Sequence, residues 1–332
     1  MRIILCLLCL AGCTSRVVPA TGATGAADDD AGPLVLDGSP TSNPDSTLPD
    51  DDLRPDLSFP DPVAALSWVT VAAGTFHMGS PDDEPCRLGN EAWHPVTLSR
   101  PFEISSTEVT QAAFSALVGM NPSHFKDCGG ECPVDSVDWS AALVFCNRLS
   151  EQAGLEKCYT CVGDGGKYAF PFKCDVRSAY AKPDGKTIYS CPGFRLPTEA
   201  EWERAYRAGT TTAFFNGAIS SCHIDSHAGA IAWYSHNSGQ RAHGVARRAP
   251  NSWNLHDMAG NLWEWVHDWY QPDLGSAVVT DPAGPPTGTG RVIRGGSWMS
   301  SPGSLRAASR NQNLPVKGLS FVGFRCARSL AP

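Results

Sequence analysis

Charge is scarce in this chain, and what there is leans acidic: charged residues make up 18% of its 332 residues, the formal net charge is -8, and no basic run occurs. Without a basic stripe the chain lacks the electrostatic footprint of a nucleic-acid binder, so no nucleic acid is expected as a partner. An apolar run long enough to span a bilayer is missing as well, since the apolar stretch Ile3 to Leu10 is too short for that. Two familiar metal patterns are also absent. No EF-hand loop occurs, and His223 and His227, four apart, lack the neighbouring glutamate base of a zinc hydrolase. Those two histidines would share a face only on a helix, and the Gly and Ser around them favour a loop.

What is abundant is glycine, proline and tryptophan, at 32, 26 and 10 residues. That composition points to a compact, loop-rich fold rather than a helical bundle, and the length suffices for a sizeable core in one large domain or two ordinary ones. The N-terminus has the parts of an export signal over residues 1–12: Arg2, the apolar run, then small residues at the cut. Leu10-Ala11-Gly12-Cys13 resembles a bacterial lipobox, with Cys13 as the lipidated residue and Thr14 where an aspartate would favour inner-membrane retention. The expectation is therefore an exported protein, anchored to a membrane by lipid at Cys13, in the cell envelope and at the outer membrane. Residues 13–62 are rich in Ala, Gly, Asp, Ser and Pro, with acidic runs at Asp28–Asp30 and Asp50–Asp52, and read as a disordered tether. The folded domain is expected over 63–332. Setting aside Cys6, Cys9 and Cys13, an even set of cysteines remains, which in an exported protein reads as disulfides of open pairing. Cys158, Cys161, Cys174 and Cys191 would staple an insertion in preference to holding zinc, and Cys128 with Cys132 would close a small loop.

Local signals mark out the elements. Ser67–Val71 and Gly74–Ser80 read as the two arms of a hairpin, with further strand at His94–Leu98 and Phe102–Ile104. Thr107 or Thr110 would cap a helix over Gln111–Val118, and Ser136 or Asp138 one from Trp139 to Ser150, ending near Gly154. Thr198 and Glu201 form a capping box ahead of Trp202, Ala205 and Tyr206 on one face, with Gly209 closing the helix. Arg291 to Met299 reads as a strand broken at Gly295-Gly296, and Val322 to Arg328 as the terminal strand.

The stretch from Asn254 to Tyr270 gathers the most chemistry. On an extended strand Trp263, Trp265 and Trp269 line one face, and Leu262, Glu264, Val266 and Asp268 the other. Asp257, Gly260 and Asn261 precede it in a turn-forming run, where carbonyls and a carboxylate could converge on a hard cation such as calcium. A buried aromatic hairpin with solvated or paired acids accounts for the same spacing.

Taken together, Gly74-Thr-Phe-His-Met-Gly-Ser80, Glu108-Val-Thr110, Pro133-Val134 through Trp139, Arg195-Leu-Pro-Thr-Glu-Ala-Glu-Trp202, Gly260-Asn-Leu-Trp-Glu-Trp265, Arg294-Gly-Gly-Ser-Trp298 and Gly323-Phe-Arg-Cys326 resemble, in order, the motifs of the formylglycine-generating enzyme family, the sulfatase-modifying factors. The resemblance covers residues 65 to 328. It implies an α+β, C-type-lectin-like duplicated fold with little regular secondary structure. It also implies a structural calcium at Asp257, Gly260, Leu262 and Glu264, held mostly by main-chain carbonyls with Glu264 supplying charge, and a disulfide between Cys146 and Cys326. A further calcium site of the family, around Ser220 to Asn237, is not recognisable here.

One departure bears on function. The oxidising members carry two cysteines shortly after the Gly-Gly-Ser-Trp/Tyr motif, which bind copper(I) and turn a substrate cysteine into formylglycine with oxygen. Here Ser300 stands at the first of these positions, and no cysteine occurs between Cys222 and Cys326. A serine hydroxyl does not replace a soft thiolate for copper(I), so no catalytic residue is assigned and copper is not expected. An iron-binding branch uses histidines of an N-terminal four-helix domain, where this chain has its tether. The function expected is a calcium-stabilised binding or scaffold module for a peptide or glycan, with Trp298, Arg306, Arg310 and Asn311 around the cleft; packing and ion pairing is the other role open to those residues. The alternative is a family oxidoreductase with altered metal chemistry.

Overall fold

The chain divides into Met1–Pro55 and a compact unit, Asp56–Pro332. The computed structural model describes residues 66–162, 173–177, 180–181 and 186–331, so the signal segment, Cys13 and the tether over 13–62 lie outside the described residues. Among the described residues no helix is long and apolar enough to cross a membrane.

Helices form where the sequence supplies caps. Thr110 accepts from the Ala113 amide and starts α1 (Gln111–Val118), which stops at Gly119 in the left-handed region. Asp138 does the same for α2 (Trp139–Gln152). The Thr198–Glu201 capping box is formed in both directions at the head of α3 (Glu199–Arg207), and Ala208 and Gly209, both at positive φ, end it. The short α4 (Ser226–Ile231) is capped by Asp225.

The strands are β1 (Trp68–Val71), β2 (Gly74–Met78), β3 (His94–Leu98), β4 (Phe102–Ser105), β5 (Tyr159–Val162) and β6 (Lys173–Val176). They continue with β7 (Phe194–Arg195), β8 (Trp263–Trp269), β9 (Val279–Thr280), β10 (Arg291–Arg294), β11 (Arg310–Asn313), β12 (Val322–Phe324) and β13 (Ala327–Ser329). They pair into small sheets ordered β1-β4-β13-β7, β11-β10-β8-β12, β2-β3-β9 and β5-β6. This is the mixed, loop-rich architecture expected.

Several pairings differ from those read off the sequence. The arms β1 and β2 do not form a hairpin, because each pairs with a different partner, β4 and β3 respectively. The terminal segment splits at Arg325-Cys326 into β12, parallel to β8, and β13, antiparallel to β4. One chain segment thereby ties two sheets together. Strand β8 is covered on both faces rather than one, with everything from Trp263 to Asp268 buried. Trp139 and Trp265 lie in this core with their indole N–H groups donating to the carbonyls of Val266 and Val137, so burial costs neither a hydrogen bond.

Disulfides add cross-links: Cys86–Cys222, Cys128–Cys132, Cys158–Cys191 and Cys161–Cys174. The expected staple of the 158–191 insertion is present, as is the small 128–132 loop. Cys86–Cys222 closes a loop of 136 residues, for which chain entropy gives on the order of 5 kcal/mol. Cys146 and Cys326 are brought together in the core but stand as thiols with their sulfurs 3.6 Å apart, not bonded.

Candidate functional site

The turn after β10 is built by backbone necessity. Gly295 and Gly296 have φ of 94° and 75°, and a Cβ on Gly296 would come within 2.5 Å of the Leu305 side chain. The turn docks on the Asp257–Glu264 segment: the Gly260 amide donates to the Gly295 carbonyl, and the Trp298 amide to the carbonyl of Asn261. Asn261, itself left-handed, organises the layer beneath by donating to the Glu108 carboxylate while accepting from the His243 amide.

Ser300 sits inside this turn. Its hydroxyl accepts from the Ser297 amide at 3.0 Å, its amide donates to the Ser297 carbonyl, and its carbonyl accepts from the Ser235 amide. The hydroxyl oxygen therefore closes a turn by accepting, with the Ser297 hydroxyl 3.3 Å away. Trp298 is half-buried, donates its indole N–H to the Ser320 carbonyl and meets the Phe125 ring edge-on at 5.6 Å. Arg241 lies over the Phe125 ring, 5.8 Å from its centre, and Met299 beside Trp298 is 52% exposed. Trp298, Phe125, Arg241 and Met299 thus present an accessible aromatic patch at the turn, in which Arg241 carries a solvent-exposed ion pair with Asp127 at 2.9 Å.

The calcium residues expected from sequence are brought together, but Glu264 has other work. Its Oε2 accepts from the Trp202 indole and from Arg325 Nε, and its Oε1 from Arg325 Nη2, all at 2.7 Å. Asp257 Oδ2 accepts from the Ala246 amide, and Glu108 holds the Leu262 amide. Among the described residues no group of three or more His, Cys, Asp or Glu side chains converges on one metal position. A cation here would rest on main-chain oxygens, as expected, but its charge would not come from Glu264, which the guanidinium already neutralises. The surplus charge lies elsewhere. Glu108 is pushed well up from the ordinary carboxylate range by burial and by the neighbouring Asp257 and Glu264, and burial raises Asp257 too. Three buried carboxylates thus share the Arg325 guanidinium, a charge balance that fits a divalent cation.

Arg306 and Arg310 are not cleft residues. The Arg306 guanidinium is fully buried and paired with Glu84 and Glu91, and Arg310 is buried on Glu199. Guanidinium groups so committed have no donors left for a ligand on a surface. Asn311 is exposed, but on β11 opposite Ile293, away from the turn in register. The ion pairing extends further into the core than the spacing of these residues suggests. Arg294 bonds Glu203, which also holds Arg207, while Arg195 is bidentate on Glu201. All three glutamates of α3, Glu199, Glu201 and Glu203, are buried. His223 and His227 do not share a helical face either, since α4 begins only at Ser226.

Comparison with known proteins settles the family. The Sulfatase-modifying factor enzyme 1-like domain matches residues 55–330. The chain belongs to this family. A formylglycine-generating enzyme from Thermomonospora curvata is 31% identical over 302 residues, spanning 79% of this chain and 93% of its own. Treponema denticola variable protein 1 superposes with a TM-score of 0.65 at 34% identity over 80% of this chain and 95% of its own. PvdO from Pseudomonas aeruginosa superposes at 0.61 and 26% identity, over 79% and 94%. The fold is thus the C-type-lectin-like one of formylglycine-generating enzyme relatives, and the family includes oxidoreductases. Within it, the Gly-Gly-Ser-Trp turn of this chain leads into Ser300 and Ser301.

Proposed function

We propose that this family member is a binding or scaffold module of the cell envelope, anchored through lipid at Cys13, and that it does not make formylglycine. The observation that carries the reading is Ser300: no cysteine lies between Cys222 and Cys326, and the Ser300 hydroxyl oxygen accepts the Ser297 amide within its own turn. Two soft thiolates are what copper(I) requires, and this turn supplies none. The patch of Trp298, Phe125, Arg241 and Met299 is the surface a peptide or glycan would meet, with aromatic rings for stacking and a cation for polar groups.

The deciding experiment incubates the purified protein with a peptide carrying Cys-x-Pro-x-Arg, copper and reductant, and follows the cysteine by mass spectrometry. The cysteine is expected to survive intact; conversion to an aldehyde would restore the enzyme reading. Peptide and glycan arrays probed with the wild type and Trp298→Ala are the companion measurement, with binding expected to the wild type and to fall at least tenfold in the variant.

Calcium belongs to the same proposal as the counter-charge of Glu108 and Asp257, the buried carboxyls beside the Glu264–Arg325 pair. Adding calcium after chelation is expected to raise the melting temperature by several degrees, as binding to the folded state alone requires. No shift at millimolar calcium would remove it from the proposal.

A further inference from the structure

The strand pair β8–β10 has two ends. At one, Glu264 faces Arg294 beside the Gly-Gly turn; at the other, Trp269 faces Arg291. A cavity of about 470 Å³ opens at this second end, under the disulfide-stapled insertion, with the 282–286 loop as its other wall. Its size falls in the range of small-molecule pockets.

Arg291 is the unusual residue in its wall. Its guanidinium lies between two indoles, 3.7 Å from the ring centres of both Trp139 and Trp269, and the residue is 5% exposed. One of its nitrogens donates to the His267 carbonyl, but Nε has no partner. No carboxylate lies within ion-pair distance of it among the described residues, in contrast to the paired arginines deeper in the core. His267 lines the same cavity, 6% exposed, with Nδ1 also unpartnered. Burial beside Arg291 and Arg195 holds that imidazole far below its usual range, so it is neutral. Stacking between two tryptophans accounts for where the guanidinium plane lies, but it leaves two buried polar atoms unsatisfied. Desolvation without a contacting anion also lowers Arg291 to about 9.

An anion entering the cavity would satisfy both nitrogens and neutralise the cation. The remaining wall is largely apolar, with Val176, Tyr180, Ile188 and Trp269 among its residues, and its one carboxylate is Asp175, which acts on Arg291 through its field without pairing with it. We infer that this cavity is a second binding site, for a small monocarboxylate on an apolar body, its carboxylate on Arg291 and His267 and its hydrocarbon against those side chains. The site shares no residue with the Trp298 patch and stands whether or not that patch binds anything.

Isothermal titration with 4-phenylbutyrate, alongside its uncharged amide, tests this directly. The acid is expected to bind at submillimolar concentration and the amide at least tenfold more weakly. Arg291→Gln is expected to lose the acid's advantage. Ala283→Phe, which places a ring in the loop wall, is expected to abolish binding of both while leaving the near-ultraviolet dichroism unchanged. Equal affinity for acid and amide, or no heat from either at millimolar concentration, would overturn the site. Should Arg291→Gln fail to fold, the comparison of acid with amide in the wild type decides alone.

Discussion

At the scale of single residues, this protein spends its charges inward. Arg325 binds Glu264 through Nε and Nη2, donates from Nη2 also to the His256 carbonyl, and reaches the Ser105 carbonyl with Nη1. It thus clamps β8 to the start of β13 while moderating three buried carboxylates. Removing one partner of a buried pair leaves a desolvated charge, which costs more than the pair itself contributes. Arg325→Met should therefore destabilise the fold by about 3–5 kcal/mol in urea unfolding. A loss under about 1 kcal/mol would show that water or protonation relieves Glu264 readily.

At the scale of elements, what was legible in the sequence was what is local. The caps Thr110, Asp138 and Thr198 act on amides three residues away, so α1, α2 and α3 were readable from adjacent letters. Strand partners were not, because β1 and β2 lie next to each other in the chain yet belong to different sheets. The 158–191 staple was legible as two disulfides, but its nested pairing, Cys158 with Cys191 and Cys161 with Cys174, depends on how β5 meets β6. The same limit explains Arg306 and Arg310. Their partners Glu84, Glu91 and Glu199 come from far earlier in the chain, and an arginine near a motif carries no mark of whether its acid is a neighbour or a ligand. The pocket at Arg291 escaped the sequence for a related reason. Its signal is a missing carboxylate partner, and only the folded structure reveals that an arginine has none within ion-pair distance among the described residues.

At the scale of the whole molecule, so many buried acids set the pH at which the fold is most stable. Asp268 is raised from 3.8 to about 8, by burial first and then by Glu199. A folded-state value above the unfolded one contributes stability that is complete below about pH 4 and lost as pH rises through 8. Burial raises Glu108 and Asp257 in the same sense. Two effects oppose this in acid. Glu199 is lowered on balance, with burial raising it but Arg310 and Arg294 outweighing that, so its contribution fades as pH falls below the carboxylate range. His267, held neutral mainly by burial, costs stability once the unfolded chain's histidine takes up a proton below about pH 6.5. With three raised carboxyls set against one depressed imidazole, stability in the absence of divalent cations should already fall as pH rises above the ordinary carboxylate range, so the optimum should lie at about pH 5. Asp268 alone would lower stability by up to about 2 kcal/mol between pH 6.5 and 8.5. Denaturant midpoints in chelator should fall over that interval, and Asp268→Asn should flatten the fall, because an amide has no proton to lose. A midpoint that holds steady or climbs toward pH 8.5 in the wild type would mean that Asp268 is already ionised in the folded state.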